Sequence, residues 1–509
     1  MKFYTSVLPY RGRLLVRGVD HDGSHKKYRI NYKPSLFVPS NLPETKYKTL
    51  DDKGLGKVTF ESIPDAKKWI DDYKNVTNFE YYGNTKFQYP YIADTFPDKV
   101  DWDIDQIRIL TIDIECESEN GFPDPQYASE PLICITAKDH SSKKIFVFGM
   151  GNFVNDRDDV NYIKCSTEID LINKFAKFWV AYNPDVVTGW NVKFFDIPYL
   201  MNRFKNLMGE EYLNQFSPWG VVTEGSALAL GYNRTQKYWD IMGVSTLDYL
   251  DLYRKHTFVR RESYKLDYIG EVELNENKLN NPYDTFKEFY QNDYQLFVEY
   301  NIQDVELVDK LEDKMKLISL HLTMAYEAKV NYQDVFGQVR IWDCIIFNHL
   351  KSKNIVVPAV VESKTSDGYE GAYVKDPVVG FHDWICSFDL NSLYPHLIMQ
   401  YNISPETMVG FDPNRVNVEK MLNEEVNLSD LDGCTITPNG AQFRTDKRGF
   451  LPELMDTLYQ ERVIYKDKML KAKAMYQKTG DKKLLNDIAT NHNIQLARKI
   501  ALNSAYGAI

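Results

Sequence analysis

The sequence predicts a multidomain protein of the α/β class. Its 509 residues exceed the ~250 residues beyond which one hydrophobic core rarely grows, so several domains are expected. Two strand-like runs, 107–115 and 132–138, precede helical patterns at 168–182, 196–208 and 286–330, and such succession is typical of α/β domains. With 43% apolar residues, the chain has enough material to bury sizeable cores.

The remaining segments complete this outline. Residues 1–103 mix short strand-like runs with turns and contain no evident chemistry. The helical pattern at 286–330 is long, and we expect it to break near 293–296. A second group of strands is expected to end in the apolar run 384–389. The final stretch is typical of two long, basic helices separated by Thr479-Gly-Asp.

Composition narrows the possible functions. The formal net charge is −11, which argues against a protein that coats DNA non-specifically but leaves open an enzyme with acidic metal sites. The six cysteines include no Cys-x-x-Cys pair, so a zinc site is not expected and the thiols suit a reducing cytosol. The N-terminus lacks the apolar core of a signal peptide, and no apolar run approaches the ~20 residues that cross a bilayer. We therefore expect a soluble, cytoplasmic protein without a membrane partner.

Two carboxylates end the first strong strand. In Ile-Arg-Ile-Leu-Thr-Ile-Asp-Ile-Glu (107–115), alternation of side chains puts Asp113 and Glu115 on one face. The strand is apolar on both faces, which indicates burial, and buried carboxylates are costly unless they are paired or bind a metal. The alternative is an acidic surface pair where the strand leaves its sheet.

Two later blocks supply further candidate ligands. The motif Gly-Trp-Asn-Val-Lys-Phe-Phe-Asp ends in Asp196 at the start of a predicted helix, where an aspartate can instead serve as the N-cap. Tyr300 and Asp304 are four residues apart and share one helix face, although a half-buried tyrosine and a solvated aspartate would give the same pattern. Either block alone is therefore ambiguous.

In this order the three blocks form a specific pattern. Four acidic residues are enough to hold two divalent cations, and hard cations such as Mg²⁺ prefer oxygen ligands, with Mn²⁺ as the alternative. Two such ions ~3.5–4 Å apart activate a water molecule and stabilise the leaving 3′ oxygen in phosphodiester hydrolysis. Tyr300 would orient the attacking water in such a site.

The pattern resembles the DEDDy class of proofreading 3′→5′ exonucleases, and the block around Asp196 resembles an exonuclease motif of family B DNA polymerases. The runs 245–253 and 342–348 resemble the branch found in T-even-type tailed bacteriophages. The resemblance implies an RNase H-like domain that trims DNA from its 3′ end. By position it makes the following residues the ligands of two Mg²⁺ ions: Asp113, Glu115, Asp196 and Asp304. Tyr300 becomes the residue that orients water.

A second motif, Ser-Phe-Asp-Leu-Asn-Ser-Leu-Tyr-Pro, joins a predicted apolar strand to a turn at Asp389. An ordinary strand–turn–helix with an aspartate cap is the alternative. The motif closely resembles motif A of family B polymerases. That resemblance implies that Asp389 binds both catalytic metals and that the Leu390 carbonyl contributes a ligand. The N–H groups of Ser392 and Leu393 would meet the triphosphate, and Tyr394 would exclude a 2′-hydroxyl group.

The C-terminal helices supply a basic surface. From 446 to 509 the chain has a net charge of +5, which suits a triphosphate, although a solvated charged hairpin would have the same composition. The run Lys-Ile-Ala-Leu-Asn-Ser-Ala-Tyr-Gly matches motif B of the same family. The match implies that the incoming deoxynucleoside triphosphate is bound by Arg462, Lys466, Lys499 and Asn503.

The resemblance also implies a division into domains. The expected order is an N-terminal domain (1–103, with a return segment at 320–360), a 3′→5′ exonuclease domain (104–319), part of an α+β palm (361–448) and helical fingers (449–509). Tyr369 and Gly371 resemble a linker element that contacts DNA. Residues 226–242 are expected to form a β-hairpin that helps to separate the primer strand.

One element of the family is missing from the sequence. Family B polymerases use a second palm carboxylate in an Asp-Thr-Asp motif, motif C, and the 509 residues contain no such tripeptide. We therefore expect the N-terminal part of a split or truncated polymerase, with a C-terminal chain that supplies motif C and the thumb. Primer–template DNA, deoxynucleoside triphosphates, a sliding clamp and other replisome proteins are the further expected partners. The alternatives are a stand-alone exonuclease and a non-catalytic subunit that binds primer–template DNA.

Overall fold

The structure is a computed structural model that describes residues 1–118, 121, 123–228, 235–257, 259–358, 374–428 and 432–508. In these residues the strands are Phe3–Tyr10 (β1), Arg13–Val19 (β2), His25–Ile30 (β3), Ser35–Pro39 (β4), Tyr47–Lys48 (β5), Gly54–Thr59 (β6), Ile109–Cys116 (β7), Leu132–Asp139 (β8), Ile145–Gly149 (β9), Val160–Lys164 (β10), Val186–Thr188 (β11), Val222–Leu228 (β12), Thr235–Ile241 (β13), Ser245–Thr246 (β14), Met408–Phe411 (β15), Cys434–Ile436 (β16) and Ala441–Arg444 (β17).

The helices of the same residues, also in chain order, are Ile63–Tyr73 (α1), Gln88–Thr95 (α2), Glu168–Tyr182 (α3), Asp196–Met208 (α4), Tyr249–His256 (α5), Leu266–Leu274 (α6), Phe286–Asn292 (α7), Tyr294–Met315 (α8), Leu317–Ala328 (α9), Gln338–Ser352 (α10), Leu393–Tyr401 (α11), Val418–Leu422 (α12), Phe450–Thr479 (α13) and Lys483–Ala508 (α14). Among the described helices, none combines the length and the apolar composition that crossing a membrane requires.

The chain forms two compact units, and the predicted multidomain α/β class is confirmed. The first unit consists of residues 1–32 and 94–336, and the second of residues 33–93 and 337–509. Residues 33–93 therefore group with the second unit, whereas the predicted N-terminal domain spans 1–103. The predicted domain boundaries stay predictions.

A six-stranded sheet with the order β10-β9-β8-β7-β11-β14 forms the centre of the first unit. Its central strand β7 pairs antiparallel with β8 and parallel with β11. Ile112 and Ile114 of β7 pack toward α3 and α4, while α7 and α8 cover the other side of the sheet through residues such as Phe289 and Phe297. Both faces are buried, as the apolar strand pattern predicted. Only Asp113 and Glu115 of β7 are partly exposed.

The ends of the helices follow local signals in the sequence. The predicted helices at 168–182 and 196–208 coincide with α3 and α4. The expected break near 293–296 lies at Asp293, whose side chain accepts the Leu296 N–H at 3.0 Å and begins α8. A second break, which the sequence did not indicate, lies at Lys316 in the left-handed conformation (φ 55°). There the buried Glu312 carboxylate accepts the Ile318 N–H at 2.9 Å and stabilises the start of α9.

The hairpin expected at 226–242 is present, with slightly earlier bounds. Strands β12 and β13 pair antiparallel from Val222 opposite Ile241 to Leu228 opposite Thr235. The tip, 229–234, lies outside the described residues. The role of this hairpin in separating DNA strands stays a prediction.

The prediction of an apolar strand ending at 384–389 is wrong. These residues form no strand, and the side chains of Trp384 and Phe388 are 99% and 93% exposed. A strand is stable when neighbouring strands accept its backbone hydrogen bonds. Among the described residues of the second unit, the nearby sheet has the order β15-β17-β16 and does not include this segment.

The two predicted basic helices are confirmed as α13 and α14. They are joined by a short turn in which Gly480 takes a left-handed conformation (φ 67°), which costs glycine little. At the base of this helical hairpin the buried Trp342 packs against Leu454 and Leu502. Its indole N–H donates to Ser504 Oγ at 3.1 Å and so ties α10 to α14.

Candidate active site

Strand β7 and helix α8 bring three predicted metal ligands together. Asp113 and Glu115 lie on the face of β7 that α8 covers, and Asp304 comes from α8 itself. Each of the three offers one carboxylate oxygen, and these oxygens all lie within 4.8 Å of one another. Residues from two distant segments of the chain therefore form one acidic cluster, as the ordered motifs predicted.

Asp196 joins the same cleft from the start of α4. Asp196 is only 3% exposed. Its Oδ1 accepts a hydrogen bond of 3.1 Å from the Ile114 N–H of β7. The N-cap residue of α4 is Phe195, so Asp196 does not have the alternative role of N-cap. A cleft of about 730 Å³ is lined by all four carboxylates together with Tyr300.

Crowding of the four acids in this cleft changes their protonation. Burial, together with repulsion from Asp304, raises the pKa of Glu115 to about 8. Burial raises the pKa of Asp196 to about 8 and that of Asp304 to about 6, and it raises the pKa of Asp113 well above the usual range of an aspartate. A full negative charge on the cluster is therefore unfavourable unless a further cation compensates it.

This arrangement predicts a pH-dependent stability. Because the folded pKa values exceed those of the unfolded chain, the folded state binds more protons, and stability falls as pH rises from ~4 through ~8. In chelator, Glu115→Gln is expected to match the wild type near pH 5 and to melt at a higher temperature near pH 8.5. A gain of ~1 kcal/mol corresponds to ~2–4 °C for a domain of this size. Differential scanning fluorimetry across pH measures it, and parallel melting curves for the two proteins would contradict the prediction.

Lys278 is a site residue that the sequence analysis missed. Its ammonium group forms an ion pair with Asp304 and lies 4.6 Å from the centroid of the Tyr300 ring. Burial opposes the charge of Lys278, but Asp304, Tyr300 and Asp113 outweigh it and raise its pKa. Its backbone N–H donates to Asp267 at 2.8 Å. A single lysine in a loop carries no signal that sequence alone reveals.

Asn301 is a second residue that acquires a role from the structure. It is fully buried, and its amide N–H donates to Asp113 Oδ2 at 2.6 Å. The hydroxyl group of Thr136, on the neighbouring strand β8, donates to the side-chain oxygen Oδ1 of Asn301. This chain of hydrogen bonds fixes the orientation of Asp113. The residue stands inside the Tyr-x-x-x-Asp motif, yet the motif by itself does not show which way its amide points.

Asp248 organises the turn that precedes Asp196. Its carboxylate is 2% exposed and accepts three backbone N–H groups at 3.0 Å, from Asn191, Lys193 and Leu250. Asn191 has a left-handed backbone (φ 64°) and lines the cleft. The buried carboxylate therefore ties the turn before α4 to the start of α5. Its sequence motif, Ser-Thr-Leu-Asp-Tyr, pointed to the family but not to this contact.

The predicted nucleotide-binding residues are partly brought together. Arg462 of α13 donates to Ser392 Oγ at 3.1 Å, and Ser392 has a left-handed backbone just before α11. The rings of Tyr394 and Tyr506 stack with centroids 4.2 Å apart. Asp389 is exposed and has no hydrogen-bond or ion-pair partner among the described residues.

The other predicted nucleotide-binding residues lie at the surface. Lys466 on α13 and Lys499 and Asn503 on α14 are exposed, as are Leu390 and Leu393. Tyr369 and Gly371, the predicted DNA contacts, lie outside the described residues. The roles of all these residues stay predictions.

Comparison with known proteins identifies related sequences. The model for "DNA polymerase family B, exonuclease domain" matches residues 67–269, and the model for "DNA polymerase family B" matches residues 334–509. Tyr300 and Asp304 lie between the two matches, so their inclusion in the site rests on the structure. The chain is 33% identical to the DNA-directed DNA polymerase of Escherichia phage RB69, across 97% of this chain and 56% of that protein.

Two further similar proteins are also DNA polymerases. Identity to the DNA-directed DNA polymerase of Enterobacteria phage T4 is 31%, across 92% of this chain and 54% of that protein. Identity to the DNA polymerase delta catalytic subunit of Caenorhabditis elegans is 29%, across 79% of this chain and 36% of that protein. The chain spans about half the length of the phage relatives. Because both the exonuclease and the polymerase model match and the motifs agree with them, the chain belongs to DNA polymerase family B.

Proposed function

We propose that this chain hydrolyses DNA from its 3′ end in a reaction that depends on Mg²⁺. One observation carries the proposal: Asp113, Glu115 and Asp304 present oxygens within 4.8 Å of one another in a cleft that Asp196 also lines. Family membership gives the substrate class, since proofreading exonucleases of this family act on DNA. The cleft, about 730 Å³, has the size of a site for a small molecule or one nucleotide unit.

The residues present fit divalent cations. All four carboxylates have raised pKa values, so a positive charge at the cluster would relieve their mutual repulsion. Asp304 Oδ1 is buried and has no hydrogen-bond partner within the described part of the chain. Carboxylate oxygens are the ligands that Mg²⁺ prefers, and Mn²⁺ accepts the same set. When bound, two such ions lower the pKa of a water molecule and stabilise charge on the phosphate.

The protein groups around the acids supply orientation. Burial raises the pKa of Tyr300 to about 12, so its phenol keeps its proton and is available to orient a water molecule by hydrogen bonding. Lys278 places a permanent positive charge beside that phenol. Asn301 holds Asp113 in one orientation. These contacts support the role of Tyr300 that the family resemblance implies.

The test is the wild-type reaction itself. A 5′-labelled single strand is incubated with the chain in Mg²⁺, in Mn²⁺ or in chelator, and the products are separated by length. We expect a ladder that shortens from the 3′ end in either metal and no products in chelator. A phosphorothioate at the last linkage should block it. Absence of trimming in both metals would contradict the proposal and favour the non-catalytic primer–template-binding alternative.

Template-directed nucleotidyl transfer is the second proposed activity. Membership of the family supports it, as does the contact between Arg462 and Ser392 of motif A. The nucleotide would be bound by Leu390, Ser392, Leu393, Tyr394, Arg462, Lys466, Lys499 and Asn503. Asp389 alone cannot hold two metal ions, and the 509 residues lack an Asp-Thr-Asp motif. The proposal therefore includes a C-terminal polypeptide that supplies motif C and the thumb.

Primer extension separates this proposal from a stand-alone exonuclease. We expect no extension of a primer–template by the 509-residue chain and extension after addition of a polypeptide carrying motif C. Extension by the chain alone would contradict the need for the second carboxylate. Trimming without extension under both conditions would favour the stand-alone exonuclease. A sliding clamp and other replisome proteins are further proposed partners. The cytoplasm of the host cell is the proposed location, since two of the similar proteins are bacteriophage DNA polymerases.

A further inference from the structure

Lys265 is an exposed cation that lines the acidic cleft and has no part in the contacts described above. Two lysines line this cleft, and the other, Lys278, is already paired with Asp304. The four candidate metal ligands and Asp267 line the same cleft. Nevertheless, within the described part of the chain the ammonium group of Lys265 has no hydrogen-bond or ion-pair partner. It is therefore free to bind an anion that enters the cleft.

The backbone that carries Lys265 is held in place by its neighbours. Lys265 immediately precedes α6, and its carbonyl oxygen accepts the Ile269 N–H at 3.0 Å. The carbonyl oxygen of the preceding Tyr264 accepts the indole N–H of Trp190 at 3.1 Å, and Trp190 also lines the cleft. The guanidinium carbon of Arg254 lies 4.6 Å from the centroid of the Tyr264 ring. An anchored backbone with a long, flexible side chain suits a contact to a charged group of the substrate.

Lys265 also changes the balance of charge in the cleft. The five carboxylates that line it would be balanced by Lys278 and two divalent cations, which leaves no net formal charge toward a polyanion. Lys265 adds one positive charge, which matches one phosphate in addition to the phosphate at the metal ions. Lysine binds a phosphate as a point charge and does not read the base, as a nuclease that trims any sequence requires.

We propose that Lys265 binds the phosphate on the 5′ side of the penultimate nucleotide of the strand being trimmed. The inference rests on the proposed 3′→5′ exonuclease function. In such a strand the terminal nucleotide ends in a 3′-hydroxyl group, so the scissile phosphate is the last phosphate of the strand. A second phosphate at the cleft therefore belongs to the next linkage on the 5′ side. The carboxylates and their cations serve the scissile phosphate, and Lys265 serves its neighbour.

The test removes the charge from each proposed partner in turn. Short single strands carry a phosphorothioate at the last linkage, which keeps them from being trimmed, and either a normal phosphate or an uncharged methylphosphonate at the second linkage. In Mg²⁺ the wild type should bind the strand with the charged second linkage about fivefold more tightly, as is usual for one exposed charge contact. Lys265→Met should bind that strand about fivefold more weakly than the wild type does and should not distinguish the two strands. Fluorescence anisotropy measures the affinities.

Trimming of an unmodified strand provides a second measurement. Lys265→Met should raise KM about fivefold and leave kcat within about twofold, because the phosphate that the lysine contacts does not react. The slope of log affinity against log salt should fall by ~0.7, the contribution of one phosphate contact on a single strand.

The matched control is Lys177→Met on α3, which removes the same charge from an exposed lysine outside the residues that line the cleft. This control should keep the wild-type affinity and the preference for a charged second linkage. The inference is overturned if Lys265→Met keeps that preference, if the control loses it equally, or if kcat falls while KM stays unchanged.

Failure of this inference is distinct from failure of the proposed function. A wild type that trims no strand in either metal contradicts the exonuclease function itself. A wild type that trims DNA but binds the strands with charged and neutral second linkages equally contradicts only the role of Lys265.

Discussion

Replacing Asp113 by Asn and Glu115 by Gln is expected to lower the Mg²⁺-dependent rate of 3′ trimming by ~10³-fold or more. Loss of metal ligands removes several kcal/mol of transition-state stabilisation, and each ~1.4 kcal/mol is a factor of ten in rate. The substitutions keep the shape of both side chains, so Asn301 can still donate to the oxygen of residue 113. The measurement is a single-turnover rate on a 5′-labelled strand at saturating enzyme.

The same variant should also be more stable than the wild type in the absence of metal. Two of the mutually repelling acids are then neutral, which removes part of the penalty that raises their pKa values. A rate loss accompanied by an unchanged or higher melting temperature excludes unfolding as its cause.

Glu299→Gln is the matched control for this variant. Glu299 is exposed on α8 and precedes Tyr300. Its carboxylate accepts a hydrogen bond from the Gln295 side chain and makes no contact with the acidic cluster among the described residues. Its trimming rate should stay within about twofold of the wild type, as is usual for surface changes of ~0.5 kcal/mol or less. If Asp113→Asn with Glu115→Gln trims as fast as this control, the acidic cluster is not the catalytic site.

Asp248→Ala is expected to lower the free energy of unfolding by ~3 kcal/mol or more. The substitution leaves the backbone N–H groups of Asn191, Lys193 and Leu250 without their acceptor, and each buried unsatisfied donor costs ~1–3 kcal/mol. The melting temperature should fall by ~6–12 °C, at ~2–4 °C per kcal/mol for a domain of this size. Differential scanning calorimetry provides the measurement.

The isosteric Asp248→Asn distinguishes a positioning role from stability alone. Its amide keeps one acceptor oxygen but turns an N–H group toward one of the three backbone donors, so the turn before Asp196 shifts while the fold persists. Well below its melting temperature, this variant should need a higher Mg²⁺ concentration for half-maximal trimming. A wild-type metal dependence together with a lowered melting temperature would limit Asp248 to a structural role.

Several features of the fold follow from local sequence signals. The bounds of α3 and α4 were predictable because apolar spacing, and in α3 also the Thr167 cap, act within a few turns. The break at Asp293 has the same origin. The strand at 384–389 was predicted wrongly, because an apolar run is equally compatible with a strand and with a segment that lacks a pairing partner. Strand formation depends on distant residues, which periodicity does not reveal.

By itself, the sequence determined the family and the ordered carboxylates, because alternation along β7 and the four-residue spacing on α8 are local geometry. The tertiary structure alone decided which groups surround those acids. Three contacts join segments that are distant in the chain. Lys278 lies beside Tyr300, and Asn301 donates to Asp113. Asp248 accepts hydrogen bonds from the turn before α4. Such contacts are set by packing and burial, which depend on the whole fold rather than on the spacing of residues in any one motif.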